Sequence, residues 1–173
     1  MGSLGEESSV LSVGPLIWSI DDESEMRDLL RDLLEEGGYR FAGFADPARA
    51  LAATADPPDL ILLDLLMPTM GGLECLRALR QDPFTHRTPI MIVSARASGS
   101  ALANLFEAGA DDFVEKPFHI VDLMTRMRRH LVRARHMDEL LRRHYARGVL
   151  LECARRLGGR EDVPAALAEV LER

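Results

Sequence analysis

Short apolar runs alternate with amphipathic stretches from residue 15 onward. The runs PLIWSI, YRFAGF, LILLD, PIMIVSA and DDFVEK have the length and composition of β-strands, and each precedes a stretch in which apolar residues recur at helical spacing. The segments IWSI, LILLD and IMIV are almost entirely apolar, as are strands buried on both faces. This strict alternation predicts an α/β fold with a doubly wound, five-stranded parallel sheet.

Residues that favour helix ends and turns lie between these segments. Gly37-Gly38 and Gly109 predict the ends of the first and fourth helices, whereas Asp46-Pro47 predicts the start of the second. Pro57-Pro58 separates the second helix from the third strand. We therefore expect a flexible leader in residues 1–13, one α/β domain in residues 14–135 and a helical extension in residues 136–173.

The composition is that of a soluble cytoplasmic protein. Hydrophobic residues make up 47% and charged residues 28% of the chain, and no apolar run approaches the length of a membrane span. The first residues lack the basic start and apolar stretch of a secretory signal. The two cysteines, Cys75 and Cys153, have no metal-ligand spacing, which favours a reduced cytoplasmic compartment.

Charge is distributed unevenly along the chain. Residues 1–119 contain 20 acidic and 9 basic side chains, whereas residues 120–173 contain 8 acidic and 12 basic ones. The acidic body argues against nucleic acid as its partner. Twenty of the 21 basic residues are arginine, so Lys116 is the only lysine.

Reactive side chains occur where four of the predicted strands end. Asp21 and Asp22 follow the first strand, Asp64 the third and Ser94 the fourth, and Lys116 closes the fifth. The carboxyl ends of parallel strands form the ligand crevice of such sheets. Neighbouring carboxylates repel one another unless a cation lies between them, and oxygen ligands of this kind suit Mg²⁺. Lys116 and Ser94 would then meet a phosphoryl group on Asp64.

Each of these residues has a simpler interpretation when taken singly. Asp21 or Asp22 could be a helix N-cap, Asp64 and Ser94 could be turn residues, and Lys116 could be a solvated loop cation. Their common location at one sheet edge favours the functional interpretation.

This ordered set resembles the receiver domain of bacterial two-component response regulators, the family of the chemotaxis protein CheY. The resemblance covers about residues 14–135 and rests on IDDE, LILLDLLMPTMGG, IVSA and DDFVEKPF. Ser94 lies thirty residues beyond Asp64, and Lys116 lies twenty-two beyond Ser94, as in the family.

The resemblance implies a role for each acidic residue. Asp64 would be the phosphoacceptor that attacks the phosphohistidine of a partner histidine kinase. Asp22 and Asp64 would ligate Mg²⁺ directly, Asp21 would act mostly through water, and the carbonyl of Leu66 would complete the protein ligands.

The resemblance also implies a switch. Lys116 would pair with the phosphoryl group, and Pro117 matches a cis peptide position that would aim its side chain. Ser94 would move to a phosphoryl oxygen and Phe113 would follow it inward, repacking the face of the fourth helix, fifth strand and fifth helix. Ser94 replaces the commoner threonine, and Phe113 replaces the commoner tyrosine and lacks its hydroxyl.

The C-terminal region has two open interpretations. Its alternating spacing, which only Asp138 interrupts, fits a coiled-coil seam. It fits equally a fifth helix whose first half packs on its own sheet and whose remainder is an amphipathic surface helix. The seam positions are Ile120, Met124, Met127, Leu131, Ala134, Asp138, Leu141 and Tyr145. Beyond Gly148 we expect two helices joined around Gly158-Gly159, with Asp162 as N-cap and Pro164 in the first turn of the second. This part resembles the linker that leads into a GAF-type domain, which implies a fragment of a larger regulator.

The sequence thus predicts a signalling phosphoacceptor rather than a turnover enzyme, with self-catalysed phosphotransfer and autodephosphorylation. Its expected partners are a histidine kinase, a downstream domain and a second copy, bound through the fourth helix, fifth strand and fifth helix or through the C-terminal helix. The main alternative is a Mg²⁺ phosphatase of the haloacid dehalogenase type, which needs an acid where Leu66 stands. A DNA-binding regulator is a third alternative, but 38 residues beyond Arg135 leave little room for a helix-turn-helix domain.

Overall fold

The computed structural model describes residues 14–53, 56–95 and 99–156. Strands and helices alternate along these ranges. The strands are β1 Leu16–Ile20, β2 Arg40–Phe44, β3 Leu60–Leu63, β4 Ile90–Ser94 and β5 Asp112–Glu115. The helices are α1 Ser24–Glu36, α2 Pro47–Leu51, α3 Gly72–Gln81, α4 Ser100–Glu107 and α5 Ile120–Arg156.

The five strands form one parallel sheet in the order β2-β1-β3-β4-β5. This order confirms the predicted doubly wound fold. Strand β2 lies on one side of β1, and β3, β4 and β5 lie on the other. The winding direction therefore reverses between β1 and β3. Ligands of such folds bind outside the carboxyl ends of the strands at this reversal.

Helices cover both faces of the sheet. Leu30 and Leu34 of α1 and Leu123 and Met127 of α5 pack on one face, where β1, β3 and β4 also contribute buried side chains. Helices α2, α3 and α4 pack on the other face. Every residue of β1, β3 and β4 is buried, as the apolar runs predicted. Two-sided burial thus holds the central strands, and with them the residues at their ends.

Most predicted boundaries are confirmed. Gly38 follows α1 with a φ of 81°, and Gly109 follows α4 with a φ of 105°, a backbone region that favours glycine. The Asp46 side chain caps α2 by accepting a hydrogen bond from the Ala48 N–H at 3.0 Å. Helix α2 is short and ends at Leu51.

The chain forms two compact units, the first ending at Leu131 and the second beginning at Val132. Helix α5 continues through Gly148 to Arg156, although the sequence suggested a break at this glycine. A single glycine costs only about 1 kcal/mol relative to alanine, and its neighbours are good helix formers. The predicted features at Gly158-Gly159, Asp162 and Pro164 lie outside the described residues.

The second unit exposes apolar side chains, including Met137, Leu140 and Tyr145. Leu141 is 39% exposed and Asp138 is exposed as well. These exposures are compatible with both a coiled-coil seam and a surface helix, so the two interpretations stay open. Within the described ranges, no helix is long and apolar enough to cross a membrane.

Candidate functional site

Three carboxylates meet at the carboxyl edge of the sheet. Asp21 and Asp22 follow β1 and Asp64 follows β3, and each offers one oxygen within 4.8 Å of the others. Asp21 and Asp64 are 3% and 4% exposed, whereas Asp22 is exposed. Pairing of β1 with β3 places these strand ends side by side. Because burial removes much of the water that would screen Asp21 and Asp64, their negative charges need a cation nearby.

Lys116 supplies one positive charge to this cluster. Its Nζ lies 2.8 Å from Asp21 Oδ2 and 3.3 Å from Asp64 Oδ2, with Glu23 farther away at 3.9 Å. Burial lowers the pKa of Lys116, but the hydrogen bonds and charges of Asp21 and Asp64 together outweigh it and raise the pKa above its ordinary value. The Lys116–Pro117 peptide bond is cis. The ammonium therefore stays charged between the two buried carboxylates.

The backbone after β3 holds Asp64 in place. Its Oδ1 accepts hydrogen bonds from the N–H groups of Leu65 at 2.6 Å and Leu66 at 3.3 Å. The start of α3 packs closely on this loop, because a Cβ on Gly72 would lie 2.4 Å from the Leu65 Cα and 2.6 Å from the Asp64 carbonyl oxygen. Only glycine fits there, which explains the second glycine of the TMGG segment.

Asp21 is held at both its side chain and its backbone. Its Oδ1 accepts from the Glu23 N–H at 2.9 Å, and its own N–H donates to the Phe44 carbonyl at 3.1 Å. Its carbonyl accepts a hydrogen bond from Arg27 Nη1 at 2.6 Å. Arg27 was not predicted from the sequence, although a cation in the first turn of a helix, where the dipole disfavours it, was an available signal.

Ser94 and Phe113 lie on neighbouring strands beside this cluster. Ser94 ends β4, is fully buried, and its Oγ has no hydrogen-bond partner in the described part of the chain. Its carbonyl accepts from the Lys116 N–H at 3.0 Å, which ties β4 to the lysine. Phe113 is partly buried and packs against the core beneath α2, α3 and α4. Neither side chain forms a hydrogen bond to the acidic cluster.

Comparison with known proteins assigns this chain to a family. Residues 17–128 match the family described as response regulator receiver domain. The chain belongs to this family. The receiver fold thus accounts for the order of the five strands.

Related receivers occur in longer regulators. The transcriptional regulatory protein CpxR of Escherichia coli K12 is 39% identical over 120 residues, which are 69% of this chain and 50% of CpxR. The phosphate regulon transcriptional regulatory protein PhoB of Pseudomonas aeruginosa is 35% identical over a region that makes up 67% of this chain and 51% of PhoB. The chain thus spans about half the length of the curated relatives it matches.

A solved receiver structure gives a further comparison. The receiver domain of sensor histidine kinase PA1611 from Pseudomonas aeruginosa PAO1 has a TM-score of 0.62 and 28% identity, covering 68% of this chain and 98% of that one. It was determined with a magnesium ion coordinated in its active-site cleft. The receiver assignment does not support the haloacid dehalogenase alternative. Such phosphatases need an acidic residue two positions after the nucleophile. This chain has Leu66 at that position, and its apolar side chain is 58% exposed.

Proposed function

We propose that this receiver accepts a phosphoryl group on Asp64 from the phosphohistidine of a partner histidine kinase. The observation that carries the proposal is the contact of one lysine with two buried carboxylates, Asp21 and Asp64, at the carboxyl edge of a receiver sheet. Their burial beside a cation is the arrangement that phosphoryl transfer requires.

In the proposed transfer, a carboxylate oxygen of Asp64 forms a bond to phosphorus while the bond from phosphorus to the histidine nitrogen breaks. The electron pair of the broken bond returns to the imidazole. Two backbone N–H groups hold Asp64 through Oδ1, while Oδ2 faces the ammonium of Lys116. Lys116 would therefore pair with the phosphoryl oxygens as the product forms. Autodephosphorylation by water would reverse the modification.

The residues present fit Mg²⁺ as the resident cofactor. The donors that Asp21, Asp22 and Asp64 provide are all oxygens and lie close enough together to surround one ion. Their combined negative charge exceeds the single positive charge of Lys116. We propose that Asp22, Asp64 and the Leu66 carbonyl bind the metal directly and that Asp21 acts mostly through water. When bound, the ion neutralises charge that builds on the phosphoryl oxygens.

Ser94 and Phe113 form the proposed switch. The Ser94 hydroxyl is buried and has no partner among the described residues, so a phosphoryl oxygen nearby would give it a hydrogen bond. Phe113 would then move with Ser94 and repack the surface of α4, β5 and α5. Phosphorylation changes the balance of two conformations only by as much as it binds them differently.

The output is proposed from the relatives and from the second unit. We place the receiver in residues 14–135 and the helical extension in residues 136–173, following a leader in residues 1–13. The active state would control a further domain of a longer protein, or dimerise through the α4, β5 and α5 face or through the C-terminal helix. CpxR and PhoB are named as transcriptional regulators, and the part of each that this chain does not match has room for such a domain. A cytoplasmic location remains a prediction from the sequence.

Intact-mass spectrometry with acetyl phosphate and Mg²⁺ tests the proposal. We expect wild-type protein to gain one phosphoryl group, Asp64→Asn to gain none, and Asp46→Asn to behave as wild type. The last variant is a matched control, because asparagine caps a helix as well as aspartate does. A wild-type protein that gains no mass, or an Asp64→Asn protein that still gains it, would refute the assignment.

Analytical ultracentrifugation with beryllofluoride, which mimics the phosphoryl group, tests the output. A Mg²⁺-dependent increase in sedimentation coefficient for the wild type alone would support dimerisation. An unchanged association state would remove dimerisation from the proposal and leave the attached domain.

A further inference from the structure

Arg27 lies beside the acidic cluster but donates to none of its carboxylates. In the part of the chain that the structure describes, its only side-chain hydrogen bond goes to the main-chain carbonyl of Asp21, at 2.6 Å. No described carboxylate lies within ion-pair distance of its guanidinium. A cation that merely neutralised the cluster would be expected to contact a carboxylate, as Lys116 does.

The carbonyl that Arg27 binds belongs to the peptide unit between Asp21 and Asp22. A peptide unit is planar, so holding its oxygen also fixes the N–H of Asp22 and the direction in which the Asp22 Cα leaves the plane. Asp22 has no other restraint on its side chain, because no described residue forms a hydrogen bond or ion pair with its carboxylate. The peptide plane therefore fixes the position of the Asp22 Cα, from which this side chain starts.

The surroundings of Arg27 restrict its own position. Its N–H donates to the Glu23 carbonyl at 3.2 Å, the first hydrogen bond of α1. Its side chain is partly buried and passes over β2 at Gly43, where a Cβ would lie 3.4 Å from the Arg27 Cδ. The guanidinium thus reaches the Asp21 carbonyl from α1, with its side chain passing beside Gly43 of β2.

We propose that Arg27 is a positioning residue that orients Asp22 for a divalent cation through the peptide unit between Asp21 and Asp22. This inference rests on the proposed function, since it assumes that Asp22 is a metal ligand. Groups that orient metal ligands typically affect metal affinity 10- to 100-fold when they are changed.

Charge alone predicts the opposite effect, which makes the proposal testable. Removing a positive charge near three carboxylates would strengthen Mg²⁺ binding, whereas releasing the peptide unit would weaken it. Titration calorimetry with Mg²⁺ on the full chain separates the two. We expect R27Q to bind Mg²⁺ about 10-fold more weakly than wild type. R27K should also bind more weakly, because a lysine lacks the planar fork of the guanidinium.

R31Q is the matched control. Arg31 lies one turn further along α1, is 43% exposed and pairs with Asp28, so the variant removes the same charge away from the acidic cluster. We expect R31Q to bind Mg²⁺ as wild type does. Tighter binding by R27Q, unchanged binding by R27Q, or equal weakening in R27Q and R31Q would overturn the proposal. If R27Q does not fold, R27K decides, because wild-type affinity in that variant would also overturn it.

Amide NMR of the metal-free protein distinguishes this inference from the proposed function. We expect the Asp22 amide signal to move in R27Q and to stay in place in R31Q. If wild type binds Mg²⁺ but takes up no phosphoryl group, the proposed function fails while the positioning role stands. If wild type binds no Mg²⁺, the metal assignment fails, and the positioning role fails with it.

Discussion

Each edge of the sheet holds a largely buried cation, but the two cations have different surroundings. At the amino edge, Arg80 donates from Nε to the Gly109 carbonyl at 2.8 Å and from Nη1 to the Thr88 carbonyl at 2.7 Å. Its Nη2 pairs with Asp111 at 2.7 Å, and the same carboxylate oxygen accepts from the Ile90 N–H at 2.8 Å. One cation here meets one carboxylate, and neutral carbonyls take the remaining donors.

At the carboxyl edge, Lys116 meets two buried carboxylates, and Asp22 adds a third that has no described partner. The pKa values of the two cations shift in opposite directions. Burial lowers the pKa of Arg80 despite the opposing charge and hydrogen bond of Asp111. Burial also lowers that of Lys116, but the carboxylates outweigh it. One edge is therefore electrostatically complete, whereas the other has negative charge in excess and can accept a further cation.

The largest expected effect concerns the amino edge. We expect R80A to lower the free energy of unfolding by about 3 kcal/mol, because it leaves Asp111 and several carbonyls without their charged donor. Urea denaturation followed by circular dichroism measures this. R77A, on the exposed face of the same helix, should stay within about 0.5 kcal/mol of wild type. Equal effects of the two variants would contradict the comparison.

The second effect concerns metal at the carboxyl edge. At free Mg²⁺ one hundred times the dissociation constant, binding should stabilise wild type by about 2.7 kcal/mol, whereas D22N should lose most of this gain. Thermal denaturation with NaCl at matched ionic strength as the control measures the difference. A D22N protein that Mg²⁺ stabilises as much as wild type would remove Asp22 from the ligands.

The third effect concerns two carboxylates in the metal-free protein, whose removal should change the free energy of unfolding in opposite directions. D22N removes a negative charge from an edge with an excess of it, so we expect it to raise the free energy of unfolding by about 0.5 kcal/mol. D111N removes the one carboxylate that balances Arg80 and should lower it by about 1 kcal/mol. Denaturation with urea in the presence of EDTA measures both, and equal signs would show that the two edges do not differ as described.

The smallest expected effect is a dependence on pH. The folded pKa of Lys116 is above its ordinary value of 10.5, so its stabilising contribution is complete below that value and is lost as pH rises through the folded pKa. Between pH 9 and strongly alkaline solution, we expect the free energy of unfolding to fall further for wild type than for K116M. The difference should be less than about 1 kcal/mol. Urea denaturation at a series of pH values measures this difference, which would be absent if the carboxylates did not stabilise the ammonium.

The sequence predicted the fold well, because the signals involved are local. Apolar runs such as LILL and IMIV indicate buried strands by their composition alone, and Asp46 and Gly109 mark helix ends by their own conformational preferences. Gly148 shows the limit of such signals. Its weak helix propensity suggested a boundary, but its neighbours carry the helix past it.

Part of the candidate site was also predictable. Residues that end neighbouring parallel strands must meet at one edge, so the sequence could bring Asp21, Asp64 and Lys116 together before any distance was known. The contacts of Arg27 and Arg80 were not predictable, since an arginine side chain can reach many acceptors. Asp111 is 31 residues from Arg80 in the chain. Only packed helices and strands select which carbonyls these two side chains reach.

In the proposed switch, the buried hydroxyl of Ser94 has a quantitative consequence. A hydrogen bond to a charged acceptor is worth about 1.5–3 kcal/mol, and each 1.4 kcal/mol changes an equilibrium constant about tenfold. Satisfying this one hydroxyl could therefore shift the ratio of active to inactive molecules by roughly 10- to 150-fold. A receiver that rests with about one molecule in a hundred in the active conformation would become roughly 10% to 60% active through this bond alone.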